Sequence, residues 1–317
     1  MLPTSKEDPT VARTEPLRGV NPILPTPFAD DGALDLESLE RSIDLMADVG
    51  ADGVAILGFM GEAHKLSQAE RAQVVRTVVA RSAGRLAVWV GVRALGTAGA
   101  VEQAQEAERL GADAVFVAPI PPQNDEALYR HYRTVAEAVD VPMILHDYPA
   151  SFGITLSVPL IGRLAKEGLA PYIKLEDTPA LPKVSAVIEA SGGAIGVFGG
   201  LGGQFFLEEL ERGAVGIMTG FAFPEVLVAI QRRFDGGDRE GAARLFHRTI
   251  DLMRYEFQPG IGLPFRKHVY RLRGIYHGEA CRPPAPTLTE RDKDEFARVV
   301  ARCGLHLGPG PLELSDD

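Results

Sequence analysis

Beyond residue 18, short apolar runs alternate with amphipathic stretches along most of the chain. The runs fall at 20–24, 53–57, 86–92, 114–117, 142–146, 172–175, 194–198 and 216–218. Each is rich in β-branched, aromatic or small residues, as expected of a strand covered on both faces. Between them, 36–49, 67–79, 100–110, 126–139, 158–166, 179–190 and 204–212 carry helical periodicity. Asp35 precedes the first of these as an N-cap, and Ser67 with Glu70 has capping-box spacing. Gly111 closes the third helix, and segments such as GADAVFV and GAVGIM mark further joints from helix to strand. Eight strand–helix units in about 220 residues predict a (β/α)8 barrel. A doubly wound sheet would carry a glycine-rich phosphate turn after its first strand, where this chain has Pro25-Thr26-Pro27.

The organisation expected is a flexible polar tail over 1–17, a barrel core over 18–223, and the last barrel helix with a C-terminal helical extension over 224–317. Three helices are predicted in that last part, at 238–256, 262–274 and 290–303. Composition narrows the function. The 317 residues are 45% hydrophobic and 24% charged, with a net charge of −10. That balance suits a folded protein and argues against nucleic-acid or anionic-membrane partners, which call for a basic surface. Cys281 and Cys303 form no metal or disulfide pattern, which fits a reducing compartment. No signal-peptide core and no apolar stretch of membrane-spanning length is present, so the expectation is a cytoplasmic protein.

In such a barrel, chemistry sits where strands end. Lys174 lies late in the sixth run and shares a face with Glu176. A lysine in an apolar strand is costly unless paired or functional. It is either an ion-pair partner of Glu176 or Glu62, or a nucleophile whose amine burial has neutralised. His146 and Tyr148 end the fifth run two residues apart and are candidates for proton transfer. Either serves the lysine, or the two satisfy each other in the core. The turn Gly58, Phe59, Met60, Gly61 and Glu62 offers backbone N–H groups to a carboxylate. Glu62 itself is either functional or a charge complementing a helix dipole. Gly199 and Gly200 open a permissive loop, and Arg93 ends the third run as a carboxylate clamp or a solvated surface arginine.

These motifs resemble, in order and spacing, the dihydrodipicolinate synthase / N-acetylneuraminate lyase family over nearly the whole chain. Thr-Pro-Phe at 26–28, Gly-Phe-Met-Gly-Glu at 58–62, His-Asp-Tyr-Pro at 146–149, Ile-Lys-Leu-Glu-Asp at 173–177 and the glycine loop at 199–203 carry the likeness. The resemblance implies a (β/α)8 barrel, an imine-forming Lys174, a 2-oxo acid substrate and a homo-oligomer, tetramer or dimer. This chain departs from the family pattern at several positions. Phe59 and Met60 stand where the family has two hydroxyl residues. His146 stands where it has its acid–base tyrosine. Ser151 falls on the synthase's arginine, and Ile120-Pro121 on its neighbour-subunit tyrosine region. The pattern looks more like the branch that handles 2-keto-3-deoxy sugar acids, dehydratases included.

The expected activity is that of a Schiff-base aldolase or dehydratase rather than a dihydrodipicolinate synthase, requiring no cofactor and no metal. Three alternatives stay open. One is a metal-assisted barrel lyase with Glu62, Asp147 and Glu176 as oxygen ligands. Another is a family member without catalysis that acts as a binding protein. The third is a biosynthetic enzyme with an unusual aldehyde or amine partner, suited by the apolar Phe59, Met60 and Phe152.

Overall fold

The computed structural model describes residues 16–121 and 124–314. Eight parallel strands form the predicted barrel: β1 Gly19–Val20, β2 Gly53–Ile56, β3 Ala87–Val92, β4 Ala114–Val117, β5 Met143–Asp147, β6 Tyr172–Leu175, β7 Gly196–Gly199 and β8 Gly216–Ile217. From β2 to β8 consecutive strands pair, and β1 pairs with β8. Closure between β1 and β2 is made by an isolated bridge of Ile23 with Ala55. The strand expected over 20–24 is thus broken after Val20. Pro22 lacks an N–H for a ladder, though its carbonyl accepts from Ala55 N at 2.9 Å.

Residues that alternate along the strands fill the barrel interior. Ala55, Trp89, Phe116, Ile144, Phe198 and Met218 form an inner cluster, with Trp89 edge-on to Phe198 at 4.9 Å. The opposite faces pack on the helices through one large apolar cluster. This two-residue period sets the site. His146, two beyond Ile144, and Lys174, in register with both His146 and Phe198, turn inward above the aromatic layer.

Helices Leu36–Val49 and Val158–Lys166 have the expected bounds, and the others expected differ by up to three residues. Asp35 caps the first through Ser38 N, and Ser67 with Glu70 forms a complete capping box. Pro224–Asp235 completes the eighth unit, followed by Arg239–Glu256, Gly262–Leu272 and Glu290–Arg302. The expected tail lies outside the described residues except for Pro16 and Leu17. Leu17 is buried and donates its N–H to the Tyr172 hydroxyl at 2.9 Å, so it belongs with the barrel. The short turns Ala63–Lys65, Pro149–Phe152 and Leu201–Gly203 were not anticipated. They follow β2, β5 and β7 at the mouth. Leu57, Glu62 and Leu201 there have φ of 58°, 53° and 47°, a left-handed backbone that non-glycine residues adopt at a cost.

Candidate active site

The C-terminal mouth of the barrel holds a cavity of about 460 Å³. Its floor carries Lys174, His146 and Glu176, all buried. Lys174 Nζ is hydrogen-bonded to Glu176 Oε2 and lies 3.2 Å from His146 Nε2. His146 Nε2 is 3.4 Å from the same carboxylate oxygen. The other oxygen of Glu176 accepts from Leu201 N at 2.9 Å, which fixes the carboxylate against the loop after β7. Phe116 and Phe152 hold the imidazole edge-on, with ring centroids 5.7 and 4.9 Å away.

Burial and charge set the protonation states of this trio. Burial lowers the Lys174 pKa, against the opposing pull of Glu176. His146 falls to about 4, first through burial and then through the charge of Lys174, so its ring is neutral at pH 7. Burial works to raise Glu176, but Lys174 and His146 outweigh it and hold the carboxyl at about 2. Tyr148 is stacked beside His146 at 6.4 Å, and Lys174 Nζ lies 5.8 Å from its ring. Burial raises the Tyr148 pKa, so the phenol stays protonated. An amine pushed toward neutrality, a neutral imidazole, a carboxylate and a phenol therefore meet in one enclosed space. That set suits attack on a carbonyl and transfer of protons around it.

The other sequence candidates fall into different places. Phe59, Met60 and Glu62 line the cavity, whereas Gly58 and Gly61 pack beneath the turn against Phe116 and the Leu57 backbone. Thr26 Oγ1 donates to Gly61 O at 2.6 Å, tying the Thr-Pro-Phe segment to that turn. Glu62 is fully buried and accepts from Lys267 Nζ at 2.6 Å, Lys65 Nζ at 2.8 Å and Arg282 N at 3.0 Å. It is thus locked to the C-terminal extension and forms no pair with Lys174. Arg93 is exposed and lies outside this cavity, with its guanidinium over the Phe59 and Phe152 rings at 5.5 and 5.3 Å. Gly199 and Gly200 lie behind the floor. A Cβ on Gly200 would run into Glu176, and one on Gly199 into Glu209.

The three carboxylates considered as metal ligands diverge. Asp147 alternates outward from β5 and pairs with Lys183 at 2.6 Å, while Glu62 and Glu176 each hold lysines. Among the described residues no group of three or more His, Cys, Asp or Glu side chains converges as a metal site. Sequence reasoning missed Lys65, His64 and Arg266, which line the cavity, and Pro284, Ala285 and Pro286, which wall it. One signal was available for Arg266. Arg266, Lys267 and His268 stand together in the middle of a helix flanked by Leu263, Phe265, Val269 and Tyr270, and all three are buried.

The chain matches the Dihydrodipicolinate synthetase family over residues 16–303. It belongs to that family. It is 31% identical over 302 residues to an L-2-keto-3-deoxyarabonate dehydratase of Azospirillum brasilense, covering 92% of this chain and 96% of the relative. It is 33% identical over 288 residues to a 4-hydroxy-tetrahydrodipicolinate synthase of Pelobacter propionicus, covering 89% and 97%. The crystal structure of a dihydrodipicolinate synthase from Rhodopseudomonas palustris superposes with a TM-score of 0.85 at 36% identity, over 90% of this chain and 97% of that one. The protein is a lyase of the aldolase and dehydratase type.

Proposed function

We propose that the protein is a Schiff-base dehydratase of a 3-deoxy 2-oxo sugar acid, with Lys174 as the nucleophile. The observation that carries this is the buried Lys174 amine, 3.2 Å from a neutral His146 and paired with Glu176 inside a substrate-sized cavity. Lys174 gives a proton to His146 and its free amine adds to the C2 carbonyl. The carbinolamine hydroxyl takes that proton back and leaves as water, which leaves an iminium. His146 then takes a proton from C3, giving an enamine. The enamine electrons expel the C4 hydroxyl, which receives the proton held by His146 and leaves as water. Hydrolysis of the imine frees the product and restores Lys174. Glu176 balances the imidazolium while it exists, and Tyr148 is a donor to the departing oxygen.

The substrate carboxylate is read as bound at the 58–62 turn. There Glu62 N and Ala63 N are committed to Phe59 and Gly58 carbonyls, while among the described residues the Met60 N–H has no acceptor. Ser151 in the cavity wall, with Phe59 and Met60 opposite, favours this reading over dihydrodipicolinate formation. The relative from Azospirillum points the same way.

Treatment with borohydride and pyruvate, or with a 3-deoxy 2-oxo pentonate, is expected to leave a stable mass adduct on Lys174. Lys174→Ala is expected to lose that adduct and several orders of magnitude in turnover, on the order of 10³ or more. An adduct on another residue, or none with any 2-oxo acid, refutes the mechanism. We also read the protein as a cytoplasmic homo-oligomer. Leu95 is 94% exposed and Phe59 44% exposed, apolar surface that a subunit contact would cover. Light scattering that gives a monomer mass would remove the oligomer.

A further inference from the structure

Arg266 is a buried arginine with an unusual division of labour. It stands on helix Gly262–Leu272 in the C-terminal extension, is 2% exposed and lines the cavity. Glu256 takes its Nε at 2.7 Å, and Glu256 is itself held by Ala222 N at 3.1 Å. Among the described residues neither Nη has a hydrogen-bond acceptor. A guanidinium fixed at one edge thus turns two unused donors to the cavity. The space for it is kept open by Gly220, where a Cβ would come within 2.9 Å of Nη1. Gly220 follows β8, across the barrel from His146 on β5.

Charge narrows what the donors receive. With Lys174 counted as its ammonium or as the substrate iminium, the charged side chains lining the cavity and their direct ion-pair partners are Lys65, Lys174, Arg266 and Lys267 against Glu62, Glu176 and Glu256. Burial keeps His146 and His64 neutral at pH 7. The wall therefore carries a single positive charge in excess, which one carboxylate balances. The charge of Arg266 is already met by Glu256, so its Nη groups call for neutral oxygen acceptors.

We propose that Arg266 is the specificity-determining residue of the site and donates to the hydroxyl groups at the distal end of a monocarboxylic 2-oxo acid. The proposal rests on the imine reading above, and the test separates the two. Pyruvate, which has no tail, measures the imine and carboxylate end. Both enantiomers of 2-oxo-4,5-dihydroxypentanoate measure the tail, and 2-oxoglutarate measures a distal charge. Each is titrated for borohydride trapping at Lys174, in the wild type and in Arg266→Gln combined with Glu256→Gln, which removes both charges together. Arg266→Lys serves if the double variant does not fold.

The better dihydroxypentanoate enantiomer is expected to need roughly 10-fold more ligand in the variant, the loss of one or two hydrogen bonds, while pyruvate moves less than about twofold. In the wild type it is expected to trap at lower concentration than 2-oxoglutarate. If pyruvate weakens as much as the dihydroxy acid, Arg266 holds the common carboxylate and the proposal fails. An unchanged dihydroxy acid, or a 2-oxoglutarate preference lost with Arg266, overturns it as well. If no probe traps in the wild type, the imine reading has failed instead.

Discussion

In the proposed mechanism Lys174, His146 and Glu176 share their protons, and no one of them does the chemistry alone. A lysine stripped of water without a counter-ion would simply lose its proton, and one with a perfect counter-ion would hold it too firmly to attack a carbonyl. Here Glu176 offsets part of the burial, and in the proposed mechanism His146 accepts the proton that must leave. Because His146 has its pKa lowered to about 4, by burial first and Lys174 second, it is neutral through the physiological range. It loses its role as a base only when pH falls through about 4. The acid limb of kcat/KM is therefore expected near pH 4, well below the 6.5 at which a free histidine titrates. His146→Phe should cost about 10²–10⁴ in turnover and still allow borohydride trapping of pyruvate. A pH profile recorded on both enzymes decides this. An acid limb near 6.5 in the wild type would mean that burial does not shift His146, and a variant with undiminished turnover would move proton transfer to Tyr148.

At the scale of elements, the loop after β7 supports the floor. Gly199 and Gly200 have no side chain because Glu209 and Glu176 occupy the space on either side. Glu209 stands on helix Phe206–Glu211, fully buried, and neither carboxylate oxygen finds a hydrogen-bond partner among the described side chains and backbone. Burial raises its pKa to about 8, so at pH 7 it is a neutral acid. The folded protein keeps this proton while the unfolded chain loses it above its ordinary range near 4.3. The stabilisation is thus complete at low pH, declines between about 4.5 and 8 as the unfolded state ionises, and is gone once the folded state ionises too. At 1.36 kcal/mol per pKa unit the swing is roughly 3–5 kcal/mol. Glu209→Gln keeps the shape and removes the titration. Its melting temperature is expected to fall less between pH 5 and pH 8.5 than that of the wild type, and parallel curves would mean that Glu209 is ionised in the fold. The strands around this loop were legible in the sequence because a two-residue alternation with inward Ile144, His146, Lys174 and Phe198 leaves a signal. Lys174 beside Glu176 was legible for the same reason. Glu209 was not, since Leu207-Glu208-Glu209-Leu210 reads as an ordinary helix surface and only the approach of the β7 loop buries one of its two acids.

For the whole molecule, the barrel and its C-terminal extension complete one cavity between them. The barrel supplies the floor with Lys174, His146 and Glu176, and the extension supplies Arg266 and the 284–286 wall. Glu62 joins the two. It sits in the turn after β2 in a left-handed conformation, and its carboxylate takes Lys267 from the extension, with Lys65 and Arg282 N beside it. Phe28, from the Thr-Pro-Phe motif, is packed between the Lys267 and Arg282 cations, each 4.4 Å from its ring. In the sequence Glu62 was visible as a member of a motif, but its partners in the extension, Lys267 and Arg282, lie more than 200 residues away, where no local pattern connects them. Lys267→Met removes the cation that is wholly buried and leaves Glu62 with Lys65 and one N–H. Breaking a buried pair from one side costs about 3–5 kcal/mol, and the remaining partners should hold the loss near the lower figure, about 3 kcal/mol. Glu62→Gln should cost a similar amount, since it strands Lys267. The double variant strands neither residue, so its loss should fall short of the sum of the singles by at least about 1 kcal/mol. Urea denaturation of the four proteins measures that coupling, and simple additivity would show that the contact does not join the two parts. The Lys267→Met protein that remains folded should also need more of a 2-oxo acid to trap Lys174, because the turn proposed to receive the carboxylate has lost its anchor to the extension.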